Sequence, residues 1–224
     1  MDGAALRLSL LLAASTTLVL VVVGLPLAHW LATSPRRWRA VVEAVVSLPL
    51  VLPPTVLGFY LLVAFSPASA PGRAVEALLG HPLAFSFEGL LVASVLYALP
   101  FAVQPFTVAI AAVDPRLVEA SHALGASGPR TFARVILPLA SPGIVAGCVL
   151  AFAHVLGEFG VVLMVGGNLA GRTRTLSISL FDAVQALDYE RATRTALFLL
   201  AISFLALVLT HALRRRPAAP RIAP

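Results

Sequence analysis

The sequence contains no lysine, because all sixteen of its basic residues are arginine. A P-loop needs a lysine against the nucleotide phosphates, and Schiff-base catalysis needs a lysine amine. The chain therefore neither hydrolyses ATP through a P-loop nor works as a Schiff-base enzyme. Its single cysteine, Cys148, allows neither an internal disulfide nor a cysteine-based metal cluster.

Charge of either sign is scarce as well. Only 12% of the 224 residues are charged and 59% are hydrophobic, whereas an ordinary soluble domain has about a quarter of its residues charged. This composition excludes an ordinary soluble domain and a disordered chain. The net charge of +6 comes from arginines in small groups between apolar runs, not on one basic face, so nucleic acid is not an expected partner.

Long runs without charge are what the sequence has in abundance. Each is long enough, or nearly so, to cross a hydrocarbon core of about 30 Å as a helix of about 20 residues. The runs do not alternate in polarity as barrel strands do. We therefore predict an all-α polytopic membrane protein forming a single domain over residues 1–224. Its five transmembrane helices are expected at about 8–32, 43–65, 89–112, 139–165 and 194–213.

The arginines predict the orientation of these helices. One side of the membrane would hold ten arginines and the other six. Cytoplasmic loops carry the excess of positive charge, so the N-terminus is expected outside and the C-terminus in the cytoplasm. The ten cytoplasmic positions would be Arg36, Arg37, Arg39, Arg116, Arg130, Arg134, Arg214, Arg215, Arg216 and Arg221.

Two connections would then lie outside, at 66–88 and 166–193. The first is rich in proline, glycine and serine. The middle of the second, 176–187, has the pattern of an amphipathic helix lying on the outer surface.

The connection at 114–138 would lie in the cytoplasm. Asp114 suits a helix N-cap and Pro115 the first helical position, and Gly125 suits the left-handed residue that ends a helix. A second short helix is expected from Gly128 to Leu137, where Pro138 would break it. Leu117, Ala120, Ser121 and Leu124 fall on one face of the first helix. An uncovered apolar face in water predicts a docking element for another chain.

The stretch EASHALGAS, followed by FARVILPLASPGI, resembles the EAA loop of ABC-transporter permeases. Glu119, Ala120, Gly125 and the Ile-Leu-Pro run 136–138 match that pattern, and Ser121 replaces its usual third alanine. Two further stretches, SLPLVLPPTVLGFYLL and LGEFGVVLMVGGNLAGRTRTL, resemble the permease subunit of molybdate importers. The resemblance covers nearly the whole chain, and it leaves tungstate and sulfate or thiosulfate importers open as relatives.

The resemblance implies an assembly in the bacterial inner membrane. Two copies of the permease would surround a central pathway among the lipids, and an extracytoplasmic binding protein would deliver molybdate. The loop would dock on a separate ATPase subunit through Glu119, Ala120, Ser121, Leu124 and Gly125. This chain would bind no cofactor, because ATP and Mg²⁺ belong on the ATPase subunit. Without the motif, Glu119 would be an ordinary solvated carboxylate.

Glu158 is the most informative residue inside a predicted helix. A carboxylate at the centre of a membrane helix costs about 2.5–3.5 kcal/mol, so it should face the bundle or water. Its charge has the wrong sign for a direct oxyanion ligand. We expect a structural or gating role, in which it pairs with an arginine or caps backbone groups near Gly157 and Gly160. His154, one turn earlier, is expected either to form a hydrogen bond with Glu158 or to make a plain packed polar pair with it. A glutamate near the outer interface without a special role is the alternative.

Prolines interrupt the second and third predicted helices. Pro49, Pro53 and Pro54 would interrupt and kink the second, and Thr55 at that kink is a candidate to line the pathway. Gln104 and Pro105 predict a similar polar break in the third. Kinks that serve only packing remain the alternative.

Functions of other classes are less well supported. The GASG sequence at 125–128 matches the pattern of intramembrane serine proteases, with Ser127 as nucleophile and His154 or His211 as base. Ser127, however, lies in a polar loop and does not open a transmembrane helix. A secondary transporter would need ion-coupling carboxylates, for which Glu158 is the one strong candidate. The five histidines have no metal-ligand spacing, so no metal site is expected.

Overall fold

The computed structural model describes residues 2–214, and every regular element in that range is a helix, which confirms the all-α prediction. The helices, in chain order, are α1 (Gly3–Thr33), α2 (Trp38–Val51), α3 (Pro54–Phe65), α4 (Ala70–Leu79), α5 (Phe87–Ala111), α6 (Pro115–Ala123), α7 (Gly128–Thr131), α8 (Leu137–Gly157), α9 (Gly160–Gly166), α10 (Leu176–Gln185) and α11 (Tyr189–Arg214). One π-helical turn, Phe132–Ile136, joins α7 to α8.

The core lies where α1, α5 and α8 pack together, and α11 packs on the outside of α8. Small residues permit this close packing, as is usual between membrane helices. A Cβ atom at Gly147 of α8 would lie 2.8 Å from the ring of Phe106, which is fully buried on α5. Gly24 of α1 faces the same ring.

Four stretches are long and apolar enough to cross a membrane, and a fifth is added if α2 and α3 together form one span. The four are α1, α5, the continuous stretch Gly128–Gly157 and α11. The first begins at Gly3, five residues before the predicted start at 8, because the Asp2 carboxylate accepts the backbone N–H groups of Ala4 and Ala5 at 3.0 and 3.1 Å. Of the C-terminal arginines used for orientation, Arg215, Arg216 and Arg221 lie outside the described residues.

The second predicted helix, 43–65, is not one kinked helix. Two helices, α2 and α3, meet there at an angle of 109°. The expected interruption at Pro49 is not found, because α2 continues through it. Leu52 has ψ 134° and Pro53 has ψ 135°, so both are extended. A residue before proline avoids the helical region, and two prolines in succession therefore stop α2 completely. Pro54 then takes the first position of α3, where its missing N–H costs nothing.

The fourth predicted helix, 139–165, is also wrong as one continuous element, because it ends at Gly157 and restarts as α9 at Gly160. The predicted break at Pro138 is absent, and α8 runs on from the π-helical turn. In that turn the N–H of Leu137 donates to the carbonyl of Phe132, five residues earlier. The wider turn accommodates a proline, which has no N–H to donate.

The predicted polar break in the third helix is not found either, since α5 continues through Pro100 and Pro105. The ring of Pro105 lies against Gly147, where an added Cβ atom would be 3.2 Å from the proline Cβ. Prolines are tolerated inside a membrane helix that is packed against its neighbours in this way.

The segment predicted as a helix on the outer surface does form a helix, α10, but its first half is buried in the bundle. Leu176 and Ile178 are fully buried, and α10 contacts α1, α8 and α11. The N–H of Leu176 donates to Ser9 Oγ of α1 at 2.8 Å. Such internal partners for its polar groups allow this helix to lie inside the bundle.

The two ends of the bundle carry different elements. At one end, His29 and Thr33 of α1 line a cavity with residues of α6. At the other, Asp2 pairs with Arg191 of α11 at 3.7 Å, and the N–H of Phe85 donates to the carbonyl of Val165 at 2.9 Å. In the orientation predicted from the arginines, the α6 end is cytoplasmic and the opposite end is outer. That sidedness stays a prediction.

Candidate functional site

Helix α6 begins and ends at the residues that its sequence predicted. The Asp114 carboxylate accepts the N–H of Arg116 at 2.9 Å, and Pro115 occupies the first turn. Gly125 has φ +80°, the left-handed conformation that favours glycine after a helix. The predicted start and end of this helix are confirmed.

None of the residues of α6 is buried. Glu119 and Ala120 are exposed, and Leu124, just past the helix, is 89% exposed. One face of α6 lines an open groove of about 440 Å³ together with the π-helical turn and the start of α8. The groove is lined by Leu117, Ala120, Ser121, Leu124, Arg134, Val135, Pro138 and Leu139. It is therefore largely apolar, as the predicted docking face required.

Glu119 lies on a different face of α6. It lines a second cavity, of about 400 Å³, with residues at the ends of α1 and α5. His29 and His122 line the same cavity. The structure thus places Ala120, Ser121 and Leu124 on the groove and Glu119 beside the ends of the membrane helices. Gly125, the remaining predicted coupling residue, lines neither cavity and ends the helix.

Ser121, which replaces the usual alanine of the EAA pattern, has a specific partner. Its hydroxyl lies 3.0 Å from Thr131 Oγ1 on α7, and Thr131 is buried. His122 Nδ1 also lies 3.1 Å from the carbonyl of Ala126. These contacts fix α6 to α7, and through α7 to the π-helical turn that leads into α8.

The two breaks in the membrane helices lie side by side. A Cβ atom at Gly160, the first residue of α9, would lie 2.7 Å from the Cβ of Pro54, the first residue of α3. Further along, a Cβ atom at Gly58 would lie 2.7 Å from Met164. The packing of α3 on α9 therefore brings Pro53, Pro54 and Thr55 close to the break that contains Glu158, and Thr55 is exposed there.

Glu158 is 7% exposed, and it accepts hydrogen bonds from both α9 and α10. Its Oε1 atom accepts the N–H of Val161 at 2.8 Å, which confirms the expected capping of free backbone groups at the start of α9. Its carbonyl accepts the hydroxyl of Ser177 from α10. The alternative expectation was that Glu158 pairs with an arginine. None of the ion pairs among residues 2–214 includes Glu158.

The expected hydrogen bond between His154 and Glu158 is wrong. The His154 ring stacks on Phe101 with ring centroids 3.8 Å apart, and Tyr97 lies 5.0 Å away. Its Nε2 atom is buried without a hydrogen-bond partner. Aromatic packing, not the carboxylate, orients this imidazole.

Gln104 is a residue of α5 that contacts α2, and it lies apart from the two helix breaks. Its Nε2 atom donates to Ser47 Oγ at 3.1 Å. It lines two open cavities, of about 710 and 330 Å³, and the smaller one is also lined by Glu43, Ser47 and Thr107. These four residues form a polar strip on helices that are otherwise apolar.

Sequence reasoning missed Ser47 and Ser177, the partners of Gln104 and Glu158. A serine in an apolar run has no distinctive local pattern, because membrane helices often carry serine at packing positions. Their roles follow from which helices become neighbours, and the spacing of residues along the chain does not reveal that.

The protease alternative is not supported by the geometry. Ser127 is exposed beside α6, whereas His154 lies seventeen residues into α8, about 26 Å along its axis at about 1.5 Å per residue. His211 Nδ1 contacts the carbonyl of Leu207 at 2.8 Å. Within residues 2–214, no cluster of three His, Cys, Asp or Glu side chains could hold a metal ion.

Residues 10–218 match the family described as "Binding-protein-dependent transport system inner membrane component". The chain belongs to this family. It is accordingly a multi-pass inner-membrane component of a transport system, and its relatives are named as permeases, not enzymes.

Curated members of the family match along nearly their whole length. The "Molybdenum transport system permease protein ModB" of Azotobacter vinelandii is 48% identical over 214 residues, which cover 96% of this chain and 95% of that protein. The protein of the same name from Haemophilus influenzae is 35% identical, with 96% and 95% covered.

Solved structures show the permease fold of ABC importers. A bacterial ABC transporter involved in alginate import matches with a TM-score of 0.70 at 19% identity, covering 96% of this chain and 79% of that one. The MetNI methionine ABC transporter, in inward-facing conformations, matches with a TM-score of 0.69, also at 19% identity, covering 94% and 95%.

Proposed function

We propose that the chain is the membrane subunit of an ATP-driven importer for molybdate. The observation that carries this proposal is the 48% identity to a molybdenum transport permease, spread over 96% of one chain and 95% of the other. Permeases of importers for tungstate or for sulfate and thiosulfate remain the second candidate, because the same sequence features suit a tetrahedral dianion in general.

The apolar groove on α6 is the proposed contact with a separate ATPase subunit. Helix α6 has no buried residue, and its apolar face is exposed. An exposed apolar patch of this kind marks a contact with another chain. Ala120, Ser121 and Leu124 would enter that contact, with Gly125 ending the helix. ATP and Mg²⁺ would bind to the ATPase subunit and not to this chain.

The polar strip of Glu43, Ser47, Gln104 and Thr107 supports a pathway between two copies of the permease. In a single chain Gln104 is exposed on a membrane helix. An amide facing hydrocarbon costs several kcal/mol, of the order of 2–7, so the strip suits a water-filled space that a second copy encloses. Thr55, which is exposed at the start of α3 beside the other break, is a separate proposed pathway residue.

A binding protein that presents molybdate would dock at the predicted outer end. Neutral donors such as Gln104 and Ser47 suit a permeant anion, because a tight cationic site would retain it. Selectivity would then lie mainly with the binding protein, and a tight molybdate affinity of the isolated permease would contradict this.

Reconstitution tests the proposal. Proteoliposomes would contain the permease and the ATPase subunit, with the binding protein added outside, and molybdate uptake and ATP hydrolysis would be measured. Glu119→Arg on α6 would be compared with Glu190→Arg, which makes the same charge change in an exposed surface pair with Arg194 at the opposite end.

We expect the binding protein to stimulate ATP hydrolysis, and we expect sulfate to compete poorly with molybdate uptake. The stimulated hydrolysis and the uptake should both be lost in Glu119→Arg and both be retained in Glu190→Arg. Strong competition by sulfate would favour the second candidate. Uptake without any ATPase subunit would refute the coupling role of α6 and would point to Glu158 as an ion-coupling site.

A further inference from the structure

Helix α10 is joined to the α8–α9 break by Ser177. The hydroxyl of Ser177 donates to the carbonyl of Glu158, directly after the last turn of α8. Carbonyls at a helix end have lost their intrahelical donors, so this hydroxyl supplies a partner that α8 cannot. The carboxylate of the same glutamate caps α9 at the N–H of Val161. One residue of α10 thus holds the residue that joins α8 to α9.

The start of α10 is itself fixed by buried contacts. The N–H of Leu176 donates to Ser9 Oγ of α1 at 2.8 Å. Thr175 Oγ1 lies 3.0 Å from Ser177 Oγ, and all three hydroxyl residues are buried. The position of Ser177 is therefore set by α10 and α1 together, and not by Glu158 alone.

The second half of α10 holds the loop that follows α9. Asp182 accepts two hydrogen bonds from Asn168 Nδ2, at 3.0 and 3.2 Å. Arg174 Nε donates to Asn168 Oδ1 at 2.7 Å and lies 3.4 Å from an Asp182 carboxylate oxygen. Asn168 has φ +56°, so this loop is held in a tight left-handed turn against α10.

The two sets of contacts are close together on a short, regular element. Ser177 and Asp182 are five residues apart, which is about 7.5 Å along a helix axis at about 1.5 Å per residue. A helix of ten residues moves as one body more readily than it bends. A displacement of the loop at Asn168 therefore reaches the carbonyl of Glu158 through one rigid segment.

We propose that α10 transmits docking of the binding protein on the loop 167–175 to the α8–α9 break, with Ser177 as its positioning residue. This rests on the proposed function, which supplies the binding protein and places this loop outside. Ser177 acts through Glu158, and it need not touch the transported oxyanion.

Serine-to-alanine changes at two buried sites provide the test. Ser177→Ala removes the donor to Glu158, whereas Ser94→Ala is the matched control, because the buried Ser94 hydroxyl has no hydrogen-bond partner among the described residues. Ser177→Thr retains a hydroxyl. The reconstituted complex of permease, ATPase subunit and binding protein would be assayed for basal and for binding-protein-stimulated ATP hydrolysis.

We expect Ser177→Ala to lower the stimulated rate about five-fold while the basal rate changes less than about two-fold, in keeping with the loss of one buried hydrogen bond. Ser177→Thr should restore much of the stimulation, and Ser94→Ala should match the wild type. Equal losses of basal and stimulated rates, or wild-type behaviour of Ser177→Ala, would overturn the proposal.

A double-mutant cycle uses the other end of α10. Asp182→Ala releases the loop without touching the buried break, so it provides a reading even if Ser177→Ala folds poorly. If α10 transmits the docking signal, Asp182→Ala alone lowers stimulation and the double variant is no worse than the stronger single variant. Additive losses would mean two independent local effects and would refute transmission.

The outcome is separable from that of the proposed function. Stimulation of hydrolysis by the binding protein can be measured whichever oxyanion is carried. A wild-type complex that is stimulated but does not import molybdate would refute the substrate assignment, whereas the ratio of stimulated to basal rates in the variants tests α10.

Discussion

A methyl group at Gly160 would test the packing of the two helix breaks directly. In Gly160→Ala the new Cβ atom would lie 2.7 Å from the Cβ of Pro54 and 3.6 Å from the backbone nitrogen of Thr55. Favourable contacts between carbon atoms lie at about 3.5–4.0 Å. Since the proline ring cannot rotate away, α3 and α9 must separate by about 0.8–1.3 Å to accept the methyl group.

The energetic cost follows from this overlap. Overpacking of a tight contact typically costs about 1–3 kcal/mol, and the better helix propensity of alanine offsets up to about 1 kcal/mol. With a shift of roughly 2–4 °C per kcal/mol for a chain of this size, a net loss of about 1–2 kcal/mol lowers the unfolding midpoint by roughly 2–8 °C. The separation should also slow molybdate uptake, because it displaces Glu158 relative to α3.

Gly157→Ala is the matched control, three residues earlier at the end of α8. A Cβ atom there would meet nothing within 4 Å. Both variants would be purified in detergent and heated while the fluorescence of the two tryptophans is followed. We expect a lower midpoint for Gly160→Ala and an unchanged or slightly higher one for Gly157→Ala. Equal midpoints for the two variants would show that α3 and α9 do not pack as described.

Substitutions at three further positions make separate predictions. Leu124→Glu should prevent co-purification of the ATPase subunit without shifting the thermal midpoint, because this side chain is 89% exposed; a large shift would mean that it is needed for folding. Glu158→Gln keeps an oxygen for the N–H of Val161, so it should destabilise the protein by about 1 kcal/mol, against about 2–3 for Glu158→Ala. Equal midpoints for these two variants would contradict the capping role. Asp2→Ala removes the N-cap of α1 and the pairing with Arg191, and should cost about 1 kcal/mol. Most of that loss should persist at high salt, which screens the partly exposed ion pair but not the cap; a loss that salt abolishes would show that the ion pair dominates.

The sequence was sufficient for features that depend on neighbouring residues. Helix α6 was predictable because Asp114 caps it and Gly125 ends it, and both act within a few residues of the helix. The interruption at Pro53 and Pro54 was also predictable from local chemistry, although as a kink and not as a complete stop. Two prolines in succession disrupt a helix, but the direction of the next helix depends on what it packs against, which for α3 is α9.

Long-range partners account for the features that could not be predicted. A charge-free run establishes that a segment suits the membrane, but the break at Glu158 lies directly after such a run, inside the helix predicted at 139–165. It is stabilised by Ser177, nineteen residues later, and by the N–H of Val161. The burial of α10 likewise depends on Ser9, which lies 167 residues before Leu176. The N-cap at Asp2 was a local signal, since it lies directly before the helix that it caps. It was missed because the start of α1 was predicted from the apolar run, which begins at residue 8.

The π-helical turn at 132–136 has a consequence for the alignment of α8. A turn closed by a bond to the fifth preceding residue holds about one residue more than an α-helical turn, and one residue corresponds to about 100° of rotation at 3.6 residues per turn. If the same residues formed a regular α-helix from Gly128 onward, α8 would be turned by about 100° about its axis. Gly147 would then face away from Phe106. The phase of this membrane helix is therefore set next to α6, by the single surplus residue that the π-helical turn accommodates.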